Sequence, residues 1–131
     1  MIRVSSPLSE EIEGTIERTI GCGIRVHREL GPGFVEPVYH NAFCLELEAN
    51  KIPFECEKSV VVKYRDTPIA LHRIDLIVCG SILVELKAVT AIDQVHTAQV
   101  LSYLRATGLH VGLLMNFNAP TLQSGLRRIV L

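Results

Sequence analysis

"RIDLIVCGSILVELKAVT", residues 73–90, holds two apolar runs separated by Cys79–Gly80–Ser81. The runs read as neighbouring strands, with glycine supplying the turn between them. Asp75, Glu85 and Lys87 lie inside these otherwise apolar strands. Strand alternation puts Leu83, Glu85 and Lys87 on one face, and Ile82, Val84 and Leu86 on the other. A carboxylate buried there is costly unless something answers its charge. Register decides whether the two acids can meet. A two-residue turn at Gly80–Ser81 would set Asp75 opposite Leu86 and send the carboxylates to opposite faces. A three-residue connection sets Asp75 opposite Glu85, with Lys87 on the same face. The pattern therefore predicts an odd-residue loop, or a compensating bulge, between residues 76 and 84.

Upstream, residues 9–30 read as a helix with Ser9 as N-cap, Glu10 and Glu11 at its positive end, and a stripe of Ile12, Ile16, Ile20, Ile24 and His27. "LGPG", residues 30–33, breaks it, and a second helix is expected over about 35–50, with Pro37 in its first turn and Asn50 at its end. Strands are expected over 54–64, 68–78 and 81–87. Residues 91–108 read as a third helix, capped by Asp93 and stopped by Gly108. A buried strand at 109–115 and an edge strand at 127–131 complete the order ααβββαββ. A helix between the third and fourth strands is a crossover, so the fold class is α/β with a mixed central sheet flanked by helices.

The chain has 131 residues, enough for a single domain over 1–131, and its 48% hydrophobic and 21% charged content is that of a globular protein. No apolar run approaches the roughly 20 residues of a membrane helix. "MIRVSSPLSEEIEG" lacks the apolar stretch of a secretory signal, so a cytoplasmic, non-membrane protein is expected. Cys22, Cys44, Cys56 and Cys79 form no C-x-x-C pair, and the five histidines show no zinc-ligand spacing. The net charge of −1 argues against a broad basic surface as the sole grip on nucleic acid. Residues 67–131 contain only three acids, Asp75, Glu85 and Asp93, two of them within apolar strands.

Two carboxylates on neighbouring strands, with a lysine two residues beyond one of them, suit either an internal ion-pair cluster or a magnesium site. Magnesium takes oxygen ligands and often only one or two protein carboxylates. The residues alone leave both readings open.

Asp75, Glu85 and Lys87 on consecutive strands, followed by a helix, resemble the PD-(D/E)xK nuclease superfamily, with Ile74 where the motif's proline usually stands. Gln99 and Tyr103 on that helix resemble the Q-x-x-x-Y pair of its recombination-exonuclease branch. "GFVEPVY", residues 33–39, is similar to the signature of the GxxExxY family, and "VELKAV", "HTAQVLSYLRATG" and "GLLMNFNAP" extend the likeness over roughly residues 9–131. The resemblance implies a restriction-endonuclease-like fold and a nuclease hydrolysing phosphodiester bonds with Mg²⁺ or Mn²⁺. It implies Asp75, Glu85 and the Leu86 carbonyl as metal ligands and Lys87 as the group that positions water. Glu36 and Gln99 would complete the catalytic set, and Tyr103 and Arg73 would meet the substrate. Nucleic acid is the implied partner, DNA ahead of RNA, helped by a homo-oligomer or a protein partner. Tyr39 is expected either as a hydrogen-bond partner or in the core, and His27, His72 and His96 either near the site or, as lone histidines more often are, as satisfied structural groups. The alternatives are a non-catalytic nucleic-acid-binding or regulatory module of the same fold, and a structural homo-oligomer with an ion-pair cluster.

Overall fold

The computed structural model describes residues 7–131, so the part of the expected 1–131 domain that falls on residues 1–6 lies outside the described residues. The elements are α1 (Glu10–Leu30), α2 (Glu36–Ala49), β1 (Phe54–Tyr64), β2 (Thr67–Val78), β3 (Ile82–Lys87), α3 (Gln94–Thr107), β4 (Val111–Asn116), a short 3-10 turn (Gln123–Gly125) and β5 (Leu126–Val130). Apart from that turn, this is the order ααβββαββ. The five strands form one sheet in sequence order. All neighbours are antiparallel except β3 and β4, which the α3 crossover makes parallel. β5 is an edge strand, as expected.

The sheet is the middle of three layers. On one face, Ile16, Cys22 and Val26 of α1 and Tyr39, Phe43 and Leu47 of α2 pack with Leu76, Val78, Val84, Leu86 and Leu113. On the other, Val100, Tyr103 and Leu104 of α3 pack with Ile74, Ile77, Leu83 and Leu114. β3 is buried on both faces, which is why its sequence reads as almost continuously apolar. α3 approaches the sheet closely at Gly112, where a Cβ would stand only 2.6 Å from Val100 Cγ1.

α1 departs in detail from the expected stripe. Its buried residues are Ile16, Thr19, Cys22, Gly23, Val26 and His27, while Ile12, Ile20 and Ile24 lie partly buried beside them. A strict four-residue spacing drifts about 40° around a helix at each step, so the isoleucines leave the buried face. Ser9 accepts a hydrogen bond from the Ile12 N–H at 3.2 Å, as an N-cap should.

The chain enters α2 through Gly31 and Gly33, both at positive φ, 67° and 116°. Tyr39 fastens this entry. Fully buried, it donates its hydroxyl to the Gly31 carbonyl at 2.6 Å and accepts from the Phe34 N–H at 3.0 Å. Its ring stacks on Phe117, with centroids 4.9 Å apart. Tyr39 is thus both hydrogen-bonded and core, and its partners are the loop rather than the acids.

Candidate active site

β2 and β3 pair as Val78↔Ile82, Ile77↔Leu83 and Leu76↔Val84, around a three-residue loop at 79–81. The odd connection is therefore present, with Gly80 at φ 66° and Cys79 also left-handed at 51°. The ladder ends at Leu76↔Val84; one step further this register sets Asp75 across from Glu85. There the side chains replace the ladder. The Asp75 N–H donates to Glu85 Oε1 at 3.3 Å, and the Leu86 N–H donates to Asp75 Oδ2 at 2.9 Å.

Asp75 also marks a change of facing in β2. Ile74 packs on the α3 side, whereas Leu76, two residues on, packs beneath α1 and α2. Opposite Asp75, Glu57 of β1 lies between the Cys56↔Leu76 and Lys58↔Ile74 pairs, at φ 53°. Arg73 is largely exposed, with its guanidinium 3.9 Å from Glu57.

Glu85 is buried, at 4% exposure. Burial first, and then the Asp75 charge, push its carboxyl up to about 7. Asp75 is raised as well, chiefly by burial, although the Leu86 N–H pulls the other way. Lys87 Nζ lies 3.9 Å from Glu85 Oε2 and donates to Gln99 Oε1 at 3.4 Å. Gln99 in turn donates to the Tyr103 hydroxyl at 3.0 Å, and His72 Nδ1 lies 3.4 Å from that hydroxyl. The i, i+4 spacing of Gln99 and Tyr103 thus forms one face of α3 turned toward Lys87.

α2 closes the other side. Glu36, its first residue, is partly buried, and its carboxyl is raised by burial and then by the Asp75 charge. The structure thus brings together Glu36, Asp75, Glu85, Lys87, Gln99 and Tyr103. His72 reaches the rim through Tyr103. His27 instead meets the Ala119 carbonyl at 2.8 Å, and His96 accepts from the Asp93 N–H at 3.0 Å at the start of α3.

Two residues went unrecognised in the sequence. His40, one turn beyond Glu36, places Nε2 3.5 Å from the Asp75 carbonyl; its i, i+4 relation to Glu36 was the available signal. Asn116, buried at the end of β4, donates to the Val89 carbonyl at 2.9 Å and accepts from the Val89 N–H at 3.0 Å. It fixes the chain just beyond Lys87, and an asparagine ending an apolar strand was its only trace.

The donor set suits a hard divalent ion better than zinc: it offers carboxylate oxygens and no thiolate. Two close carboxylates, both raised, are also what a cation would relieve. Among the described residues no group of three or more His, Cys, Asp and Glu side chains stands in metal-holding range, so backbone and water oxygens would complete the shell. A groove of about 890 Å³ along α1, lined by Ile20, Gly21 and Arg128, contains none of these residues.

Fold and site together define an α/β protein whose central hairpin opens onto two carboxylates and a lysine. Residues 13–129 match the family model of the PD-(D/E)XK nuclease superfamily, and the chain belongs to that superfamily. The three helices and mixed five-stranded sheet of the described residues fit the restriction-endonuclease-like fold. No curated protein and no solved structure matches the chain. Among the described residues no helix is long and apolar enough to cross a membrane.

Proposed function

We propose that the protein is a divalent-metal-dependent nuclease acting as one domain in the cytoplasm, with DNA ahead of RNA as substrate. The observation that carries this reading is the end of the β2–β3 ladder, where Asp75 and Glu85 meet beside Lys87. Asp75, Glu85 and the Leu86 carbonyl would hold Mg²⁺ or Mn²⁺. A strand residue sends its N–H and C=O toward the same neighbour. The Leu86 N–H already reaches Asp75, so its carbonyl faces the same gap. A bound ion would supply charge neutralisation for the phosphate and acidify a water. Lys87, held by Gln99, orients the attacking water and balances charge at the phosphate. Glu36 would complete the set from the α2 side, through the ion's waters or the substrate. Tyr103 and Arg73 meet the substrate at the rim.

One observation favours a second reading, a non-catalytic nucleic-acid-binding module. Among the described residues no fully buried side-chain nitrogen or oxygen lacks a hydrogen-bond partner, so no such atom of the cluster calls for an ion. A nuclease assay on single- and double-stranded DNA and RNA with Mg²⁺ or Mn²⁺ decides between them. Cleavage should vanish in Glu85→Gln and Asp75→Asn. It should fall roughly 10²–10⁴-fold in Lys87→Met, with metal binding retained. Normal cutting by Lys87→Met would overturn its role, and binding without cutting by the unaltered protein would establish the second reading.

A further inference from the structure

The β1–β2 pair continues well past the rest of the sheet. β3 pairs only with residues 76–78 of β2, so residues 67–74 hydrogen-bond to β1 alone, as a two-stranded ribbon roughly 20 Å long. Its base is the site itself, because Asp75 directly follows Ile74. One ribbon face carries the cross-strand pair Val61↔Leu71, exposed by 46% and 68%. Toward the tip, Tyr64 and Ile69 are exposed by 68% and 63%. The opposite face is occupied, since Val60 and Ile74 pack in the α3 cluster.

Charge identifies the occupant. Residues 58–74 contain four Lys and Arg against one acid, in a chain of net charge −1. α1, by contrast, carries five Glu against three Arg. Lys63 and Arg65 form no ion pair among the described residues, and Arg73 has only the 3.9 Å contact with Glu57. A second copy docked ribbon to ribbon would set these cations against themselves, as a self-complementary interface requires. A polyanion meets no such penalty. Exposed aromatic and apolar side chains between cations are the chemistry that stacks unpaired bases while neutralising phosphates.

We propose that the β1–β2 ribbon is an arm that binds a single-stranded stretch of nucleic acid, with Lys63 and Arg65 on its phosphates and Tyr64 stacked on a base, and leads it to the carboxylates at the ribbon's base. This rests on the nuclease reading for its purpose, but its test does not need cleavage. In the Glu85→Gln background, fluorescence anisotropy should measure binding of labelled single-stranded and duplex oligonucleotides over a range of salt. Lys63→Glu with Arg65→Glu should weaken binding and lower the salt slope by about two. Tyr64→Ala should weaken single-strand binding roughly fivefold to a hundredfold and leave duplex binding nearly unchanged. All three positions are exposed, and an unchanged melting temperature would verify folding. Wild-type affinity in both variants would overturn the proposal, as would absence of binding before any ribbon substitution. A shift from dimer to monomer in sedimentation, with affinity unaltered, would make the ribbon a protein interface and overturn it too. If the ribbon variants lose binding while the unaltered protein never cuts, the arm stands and the nuclease reading falls.

Discussion

The two ends of the β2–β3 hairpin are held together in different ways. Near the loop, Leu76, Ile77, Val78, Ile82, Leu83 and Val84 form regular pairs, and all six are buried. One step beyond, the backbone N–H groups of Asp75 and Leu86 are taken by carboxylates from across the strand pair. The first end gains stability from apolar burial. The second keeps its donors satisfied while placing two acids where water is scarce, which raises both carboxyls. Apolar stability and the proposed chemistry are therefore separated by a single register step, and substitutions on the two sides should behave oppositely.

The largest contrast is between Leu83 and Glu85, two residues apart on the same face of β3. Leu83→Ala should cost about 2–5 kcal/mol in urea unfolding, through lost burial and the cavity left against Ile77 and α3. Glu85→Gln should cost nothing at neutral pH or stabilise slightly, because a buried charge and its repulsion with Asp75 disappear. Equal losses at the two positions would erase the distinction.

A smaller effect should appear with pH in metal-free protein. Folding raises the Glu85 carboxyl from its ordinary 4.5 to about 7. Between those values the unfolded chain has released a proton that the folded protein keeps, so stability falls as pH rises through the window and levels off above it. The loss is on the order of 3 kcal/mol. Asp75 and Glu36, also raised, act with the same sign. Glu85→Gln should flatten the upper part of the slope in thermal melts between pH 4.5 and 8. An unchanged slope would remove Glu85 as its source.

The smallest effect concerns Tyr39, which shares a sequence signature with Glu36 but not its surroundings. Tyr39→Phe keeps the stack on Phe117 and loses both hydroxyl hydrogen bonds, at a cost of about 1–3 kcal/mol. Unfolding should register it, whereas cleavage kinetics of the folded fraction should not. A large kinetic loss with unchanged stability would return Tyr39 to the chemistry.

Much of this was legible because it follows from period and parity. The two runs around Cys79–Gly80–Ser81 left only a few registers open, and the odd loop among them is the one that lets Asp75 and Glu85 meet. Element order followed from the helical stripes, the glycine and asparagine stops, and the apolar strands. Alternation alone did not foretell the change of facing between Ile74 and Leu76, which depends, like the left-handed Glu57, on neighbouring strands. His40 and Asn116 were missed because each acts across the fold, on the Asp75 carbonyl and on Val89 respectively. Their local traces, an i, i+4 spacing from Glu36 and an asparagine ending an apolar strand, do not name the partner across the fold.

The single parallel pair has a consequence for the order in which the site is assembled. Asp75 and Glu85 are brought together by a three-residue loop, a short closure that can form early. Lys87 meets Asn116 only after the whole α3 crossover has been laid down and docked, a much longer closure. The acids should therefore be neighbours, and repel, before Gln99 arrives to hold the lysine beside them. A site assembled in that sequence has its two carboxylates side by side before the Gln99 contact fixes Lys87 beside them, so the longest closure is the one that orders the lysine.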